Sequence, residues 1–251
     1  MARTRRQLED QVVRYAHELH ARGWVANHDG NITVRIADGR VLSTATAISK
    51  ADDARTNLIV VDDEGKVVSG SRNPFGEVAL HLYVYRHRPD VGAVVHSHAP
   101  HATALAVAGV PVEPRMLAES VVSLGTEIPL IPYAAPKSPE WTTNLQAAVA
   151  AVDAVTLANH GVLTWGPDLE TAYLRMELVE HLARIQMLAG QVGGARLIPE
   201  DGVPALLASR AKAGLGPEGR QIQRRELVAT EQAEAVAKVV REEVSRVLRT
   251  R

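Results

Sequence analysis

The chain has 251 residues, 46% of them apolar, enough for one large domain or a domain with an extension. A net charge of −1 gives no global field favouring nucleic acid or an anionic membrane, and the lack of cysteine removes disulfides, thiolate metal sites and thiol nucleophiles. No run reaches the roughly 18 apolar residues of a membrane span and no leader-like pattern opens the chain. The expectation is a soluble cytoplasmic protein that acts on a small molecule, with neither nucleic acid nor membrane as partner.

Residues 5–22 carry Leu8, Val12, Val13, Tyr15, Ala16 and Leu19 at helical spacing, and Gly23 suits the helix end. Asn27-His28-Asp29-Gly30-Asn31 is turn chemistry, because these residue types tolerate left-handed backbone angles. Short strands follow at Ile32–Ile36, Val41–Ser43 and Leu58–Val61, the last turning through Asp62–Gly65 into Lys66–Val68. A helix over Glu77–Arg86 stops before Pro89. Gly92–His98 reads as a buried strand, and Pro100 begins a helix to about Ala108. Further strands are expected at Ile128–Ile131, Ala154–Leu157 and Val162–Trp165, with a helix over Asn144–Ala151. Asp168 is a good N-cap for a long helix ending near Leu188. Irregular alternation with several hairpins argues for an α/β fold with a mixed, mostly antiparallel sheet flanked by helices. Gln191–Pro204 is rich in Gly and Pro and reads as a linker; the stretch from about Glu218 to Leu248 reads as an amphipathic helix. The expected division is a catalytic domain over 1–190 and an extension over 191–251.

The strongest local signal is Val95-His96-Ser97-His98. Residues two apart on a strand project to one face, so both imidazoles can reach one ion. Histidine pairs on strands also occur without metal. Asn159-His160-Gly161 lies at a tight turn between two strands, where His160 could supply a third ligand. Three neutral imidazoles leave coordination positions open for substrate, as a catalytic site requires. Glu77 opens a helix after Asn73-Pro74-Phe75-Gly76. The helix dipole alone favours a carboxylate there, and so does a proton-moving role near a metal; periodicity leaves both open. His17, His20, His81, His87 and His181 read as packing or surface residues, and His101 as a neighbour of the metal site.

Taken together, Gly30-Asn31-Ile32-Thr33-Val34-Arg35, Glu77, Arg88-Pro89-Asp90, Ala93-Val94-Val95-His96-Ser97-His98-Ala99 and Asn159-His160-Gly161 resemble the class II aldolase/adducin family over roughly residues 7–190. The resemblance implies a three-layer α/β/α fold with a central, largely antiparallel sheet, and a homotetramer with active sites near subunit interfaces. It implies one divalent metal ion per subunit on His96, His98 and His160, usually zinc in the aldolases and manganese, cobalt or iron in other branches. Glu77 would be the catalytic carboxylate. The implied chemistry is C–C bond cleavage with the ion stabilising enolate-like charge.

Three loops depart from the family's phosphate cradle. Asn27-His28-Asp29-Gly30-Asn31 keeps Asn31 but introduces the bulky His28 and the acidic Asp29; Ser43-Thr44-Ala45-Thr46-Ala47 lacks the usual proline and glycine; Phe75-Gly76 replaces two small hydroxyl residues. An unpaired dianion beside a phenyl ring is expensive, so a phosphate substrate is disfavoured. Arg115 falls where many aldolases carry a tyrosine. It could clamp a carboxylate with two parallel hydrogen bonds, or form a surface ion pair with Glu113 or Glu119. Asn31, His28, Phe75, Gly76, Arg115 and Ser43 are therefore the expected substrate contacts. The preferred expectation is a metal-dependent lyase that decarboxylates a hydroxylated aromatic (di)carboxylate, with aldol cleavage of a hydroxy-carbonyl as the alternative. A non-catalytic adducin-like interaction module and an oxygenase are the readings from other classes.

Overall fold

Helix α1 (Arg5–Ala21) begins with a reciprocal capping box, in which the Thr4 hydroxyl accepts from the Gln7 amide and the Gln7 side chain accepts from the Thr4 amide. Val12, Tyr15, Ala16 and Leu19 form its buried stripe. It ends at Gly23, whose φ of 69° reverses the chain toward the sheet. The structure is a computed structural model that describes residues 3–36 and 39–225, together with 228, 230, 232, 234 and 238.

Among the described residues eight strands form one sheet: β1 (Asn31–Arg35), β2 (Val41–Ser43), β3 (Ile59–Val61), β4 (Val67–Ser69), β5 (Ala93–Ser97), β6 (Leu130–Ile131), β7 (Ala154–Leu157) and β8 (Gly161–Gly166). Their spatial order is β4-β3-β2-β1-β5-β8-β7-β6, antiparallel throughout except for the parallel β6–β7 pair. That is the mixed, mostly antiparallel sheet expected. The central strands alternate strictly. Ile32, Val34, Ala93, Val95 and Val162 join one core with α1, α3 (Pro100–Val107) and α7 (Leu169–Gln191); Val94, Val155, Leu163 and Trp165 join the other with α2 (Val78–His87), α5 (Pro139–Thr143) and α6 (Gln146–Val149). Two helical layers thus sandwich the sheet.

Two expectations need correction. The helix expected over 144–151 shortens to α6, and a separate helix, α5, opens at Pro139 before it. Pro204 lies not in a linker but in the first turn of α8 (Val203–Lys212), which packs on α4 (Ala118–Leu124), a helix the sequence pattern did not reveal. Residues 192–202 carry neither helix nor strand, and residues 216–225 are helical. The rest of the amphipathic stretch expected to reach Leu248 lies largely outside the described residues.

Candidate metal centre

The alternation of β1 and β5 decides which side chains meet. Positions 94, 96 and 98 share a face, and so do 31, 33 and 35, because Asn31 pairs with His96 and Thr33 with Val94 across the two strands. That face is the one covered by α2. The β7–β8 turn brings in His160, with Asn159 at φ 57°, a left-handed angle that asparagine tolerates. The ring centroids of His96, His98 and His160 lie 4.7 to 5.1 Å apart, and one nitrogen from each can be chosen so that all lie within 4.8 Å of one another.

Their tautomers can be read from the partners. His96 Nδ1 faces the Val162 carbonyl at 2.8 Å, so its Nδ1–H donates and its Nε2 keeps its lone pair; His98 Nδ1 lies 3.3 Å from Asp29 Oδ2, a charge contact that favours a proton on Nδ1. Those two Nε2 atoms face each other at 3.2 Å. With the proton of His98 on Nδ1, two lone pairs meet there, and a cation between them relieves the repulsion. Two nitrogens at about 2.05 Å from one tetrahedral ion would be roughly 3.3 Å apart, so the donor set fits a divalent metal. Burial, then repulsion from His160 and His98, holds His96 well below its ordinary pKa; burial and His98 do the same for His160. Both are neutral near pH 7, the form that binds metal.

Gly161 makes this convergence possible. A Cβ there would lie 2.5 Å from the Ser97 carbonyl, 2.8 Å from His98 Cδ2 and 3.3 Å from His96 Cε1. Gly30, at φ 71°, is needed on the opposite side, where a Cβ would meet Val25 at 2.3 Å.

Glu77 caps α2 beside this cluster. Its Oε1 lies 3.8 Å from His160 Nε2, and its Oε2 accepts a 3.3 Å bond from Asn31 Nδ2. A ladder between β1 and α2 fixes that placement. Alternate strand residues repeat every ~6.7 Å and every fourth helical residue every ~6 Å, so the two elements stay in step. Asn31 meets Glu77, Thr33 Oγ1 meets His81 Nδ1 at 2.8 Å, and Arg35 donates to the Tyr85 carbonyl at 2.9 Å. His81 is fully buried, and burial pushes its pKa down to about 3, so it holds its rung as a neutral imidazole.

The other expected contacts divide. Asn31 is in the cluster, with its Oδ1 buried and unpartnered. Gly76 precedes Glu77 and has open space where a side chain would stand. His28 is exposed on the loop beside Asp29. Ser43 is buried and its hydroxyl donates back to the Thr44 carbonyl at 2.7 Å, so it turns inward. Phe75 is 6% exposed and packs edge-on against His81 at 5.0 Å, which leaves little of its ring to meet a ligand. Arg115 has all three guanidinium nitrogens engaged, with Glu113 at 3.0 and 3.2 Å and Glu200 at 2.9 Å. This is the expected surface ion pair with Glu113, joined by Glu200, rather than a free clamp. His101 is held by Glu180 at 2.7 Å. Asp29, the partner of His98, had no local signal for that role because the two are far apart in sequence. A cavity of about 150 Å³ beside the cluster is walled by Glu77, His160, Asn159, Tyr133 and Trp141 among others.

The family described as Class II Aldolase and Adducin N-terminal domain matches residues 10–187. The chain belongs to the class II aldolase and adducin family. It is 33% identical over 178 residues to a 5-methylthioribulose-1-phosphate/5-deoxyribulose-1-phosphate aldolase of Rhodospirillum rubrum, covering 71% of this chain and 79% of the relative. It is 32% identical over 182 residues to a 3-oxo-tetronate 4-phosphate decarboxylase of Haemophilus influenzae, covering 70% and 85%. Among solved structures, L-fuculose-1-phosphate aldolase from Thermus thermophilus superposes with a TM-score of 0.66 at 27% identity, covering 77% of this chain and all of that one. Aldolases and decarboxylases both break carbon–carbon bonds, so these class II aldolase relatives are C–C lyases.

Proposed function

We propose that this protein is a divalent-metal-dependent C–C lyase, with His96, His98 and His160 as metal ligands and Glu77 as the acid/base. The observation that carries the reading is the pair of imidazole Nε2 atoms facing each other at 3.2 Å, with a third imidazole and a carboxylate alongside. A bound ion supplies Lewis-acid stabilisation of the negative charge that develops on oxygen as the bond breaks. Asn31 holds Glu77 Oε2, which leaves Oε1 as the atom that gives or takes the proton. His96 and His98 are oriented by the Val162 carbonyl and Asp29, so they need no reorganisation when substrate binds.

The relatives named above act on phosphorylated substrates. In this chain the acidic Asp29, the inward Ser43 hydroxyl and the buried Phe75 leave the corresponding loops poor in groups for a phosphate, which supports a substrate without one. The aromatic form of the expectation rested on an available Phe75 ring and a free Arg115, and neither placement supports it. The reading kept is decarboxylation of a small hydroxylated carboxylate, aliphatic acids included, supported by the similarity to the Haemophilus influenzae decarboxylase. Aldol cleavage is the second reading, favoured by the similarity to the Rhodospirillum rubrum aldolase.

The test is carbon dioxide release by metal-replete protein across hydroxylated and 3-oxo carboxylates, run beside aldehyde release from matched aldols. Glu77→Gln is expected to lower turnover at least about 100-fold with metal content unchanged. His96→Ala is expected to lose the metal. Aldehyde release alone selects the second reading, and Glu77→Gln turnover within a few-fold of wild type removes Glu77 from the mechanism. Protein that neither holds metal nor is stabilised by added Zn²⁺, Mn²⁺ or Co²⁺ would instead be a non-catalytic module.

A further inference from the structure

The opposite end of the central strands carries a second concentration of charge. Val162 pairs with Ser97 near the histidines, whereas Gly166 pairs with Ala93 at the other end of β8, about 10 Å away along the strand from the His96 position. There Asp153, 1% exposed, is surrounded by four guanidinium groups. Arg88 reaches its Oδ1 at 2.7 Å, Arg175 its Oδ2 at 3.1 Å, Arg210 its Oδ2 at 3.3 Å and Arg220 its Oδ1 at 3.4 Å. Arg88 and Arg175 come from the body, Arg210 from α8 and Arg220 from the helix that follows. Asp90 adds a second carboxylate, bonded to Arg88 at 2.8 Å and 3.9 Å from Arg220.

The balance of charge does not close. Among the described residues four cations face two carboxylates, with Asp168 acting on Arg175 at longer range, so positive charge remains in excess there. Carbonyl groups of Val149, Val152, Ala150, Val122, Ser123 and Trp165 accept from Arg88, Arg220, Arg210 and Arg175 and offset part of it. Arg88 has every donor used in this way. Arg175, Arg210 and Arg220 do not, and burial together with mutual repulsion lowers the pKa of all three despite the carboxylate between them. Arg88, Arg175 and Arg220, with the carboxylates Asp90 and Asp153 beside them, also line a cavity of about 270 Å³ that residues 213–216 and Gln223 border as well. Arg88 and Arg175 are each more than nine-tenths buried, so the cavity is a built feature and not a surface dimple.

We propose that this cavity is a binding site for a small, multiply charged oxyanion of the phosphate class, held by Arg175 and Arg220 with Gln223 beside them. Guanidinium groups present paired donors to such oxygens, and a desolvated excess of positive charge is the electrostatic condition that an anion relieves. Because Arg220 and Gln223 lie beyond α8 and Arg88 and Arg175 lie on the body, the anion also ties the two together. The site does not depend on the reading of the histidine cluster.

The test uses the full chain and inorganic phosphate, titrated against chloride at constant ionic strength, with thermal unfolding as the readout. Wild type is expected to gain roughly 2–4 °C at saturation. His96→Ala should keep that gain, which separates this cavity from the metal centre. Arg220→Gln should lose most of it. Asp90→Asn, which removes a carboxylate facing the cavity, should bind phosphate about three- to tenfold more tightly. A wild-type shift no larger than chloride produces, an unchanged shift in Arg220→Gln, or weaker binding in Asp90→Asn would each show a closed ionic hub that takes no ligand, and would overturn the proposal.

Discussion

Replacing Gly161 by alanine inserts one methyl group between the two strands that carry the histidines. The new carbon would sit 2.5 Å from the Ser97 carbonyl and 2.8 Å from His98 Cδ2, against 3.4 Å for ordinary contact. Relief needs a retreat of about 0.9 Å from a backbone atom and about 0.6 Å from an imidazole. The first movement falls where Ser97 pairs with Val162, and a hydrogen bond stretched by that much is lost. Overpacking strain of about 1–3 kcal/mol and one lost bond worth about 1 kcal/mol give a destabilisation of about 2–4 kcal/mol. In a domain of this size that lowers Tm by roughly 5–15 °C. The second movement exceeds the tolerance of about 0.2 Å in ligand distances, so metal affinity should fall about tenfold or more. Calorimetry of the metal-free protein and metal titration of each variant measure the two effects separately. Gly76→Ala is the control, since nothing lies within 4 Å of its added carbon and the residue adjoins Glu77 just as closely. A Gly161→Ala protein with wild-type metal affinity and Tm within about 1 °C of wild type would refute the claim that close approach at this glycine builds the site.

Asp153→Asn leaves the arginines without their central counter-charge and is expected to cost about 3–5 kcal/mol near pH 7 by urea unfolding. Burial pushes the Asp153 carboxyl pKa up, but Arg175, Arg88 and Arg220 outweigh it and hold the pKa below its ordinary value. Its contribution is therefore present above the unfolded-chain value of about 3.9 and fades as pH falls through the lower folded value. The gap between wild type and variant should narrow below about pH 4, and a gap that widens there would sink the assignment. Ala47 is exposed and holds φ 60°, a left-handed angle that a side chain resists. Ala47→Gly should raise stability by about 0.5–1 kcal/mol, and a loss of stability in the same unfolding assay would show that the turn is not strained.

Much of the architecture was legible in the chain because it is written in local periods. The two-residue spacing of His96 and His98 placed both histidines on one face, a 3.6-residue stripe marked α1, and Pro89 and the Asp168 cap marked the end of α2 and the start of α7. Glu77 at a helix start followed from Pro74, Gly76 and the apolar run after them. Short elements escaped, as α4 and α5 did, since a helix of one or two turns carries too few apolar positions to show a period.

Contacts between distant segments had no such signature. Sheet order β1-β5-β8-β7, not sequence spacing, carried His160 to His96, and the packing of α2 on β1 carried Glu77 to Asn31. Side-chain direction was equally hidden. The sequence supplies Phe75 and Arg115, but packing against His81 buries the first and the carboxylates of Glu113 and Glu200 engage the second. The sequence alone determined which residue types, at which strand and helix positions, were available to hold a metal and move a proton. The tertiary structure decided which of them converge, because convergence depends on strand order and on the partners that each buried polar group must find.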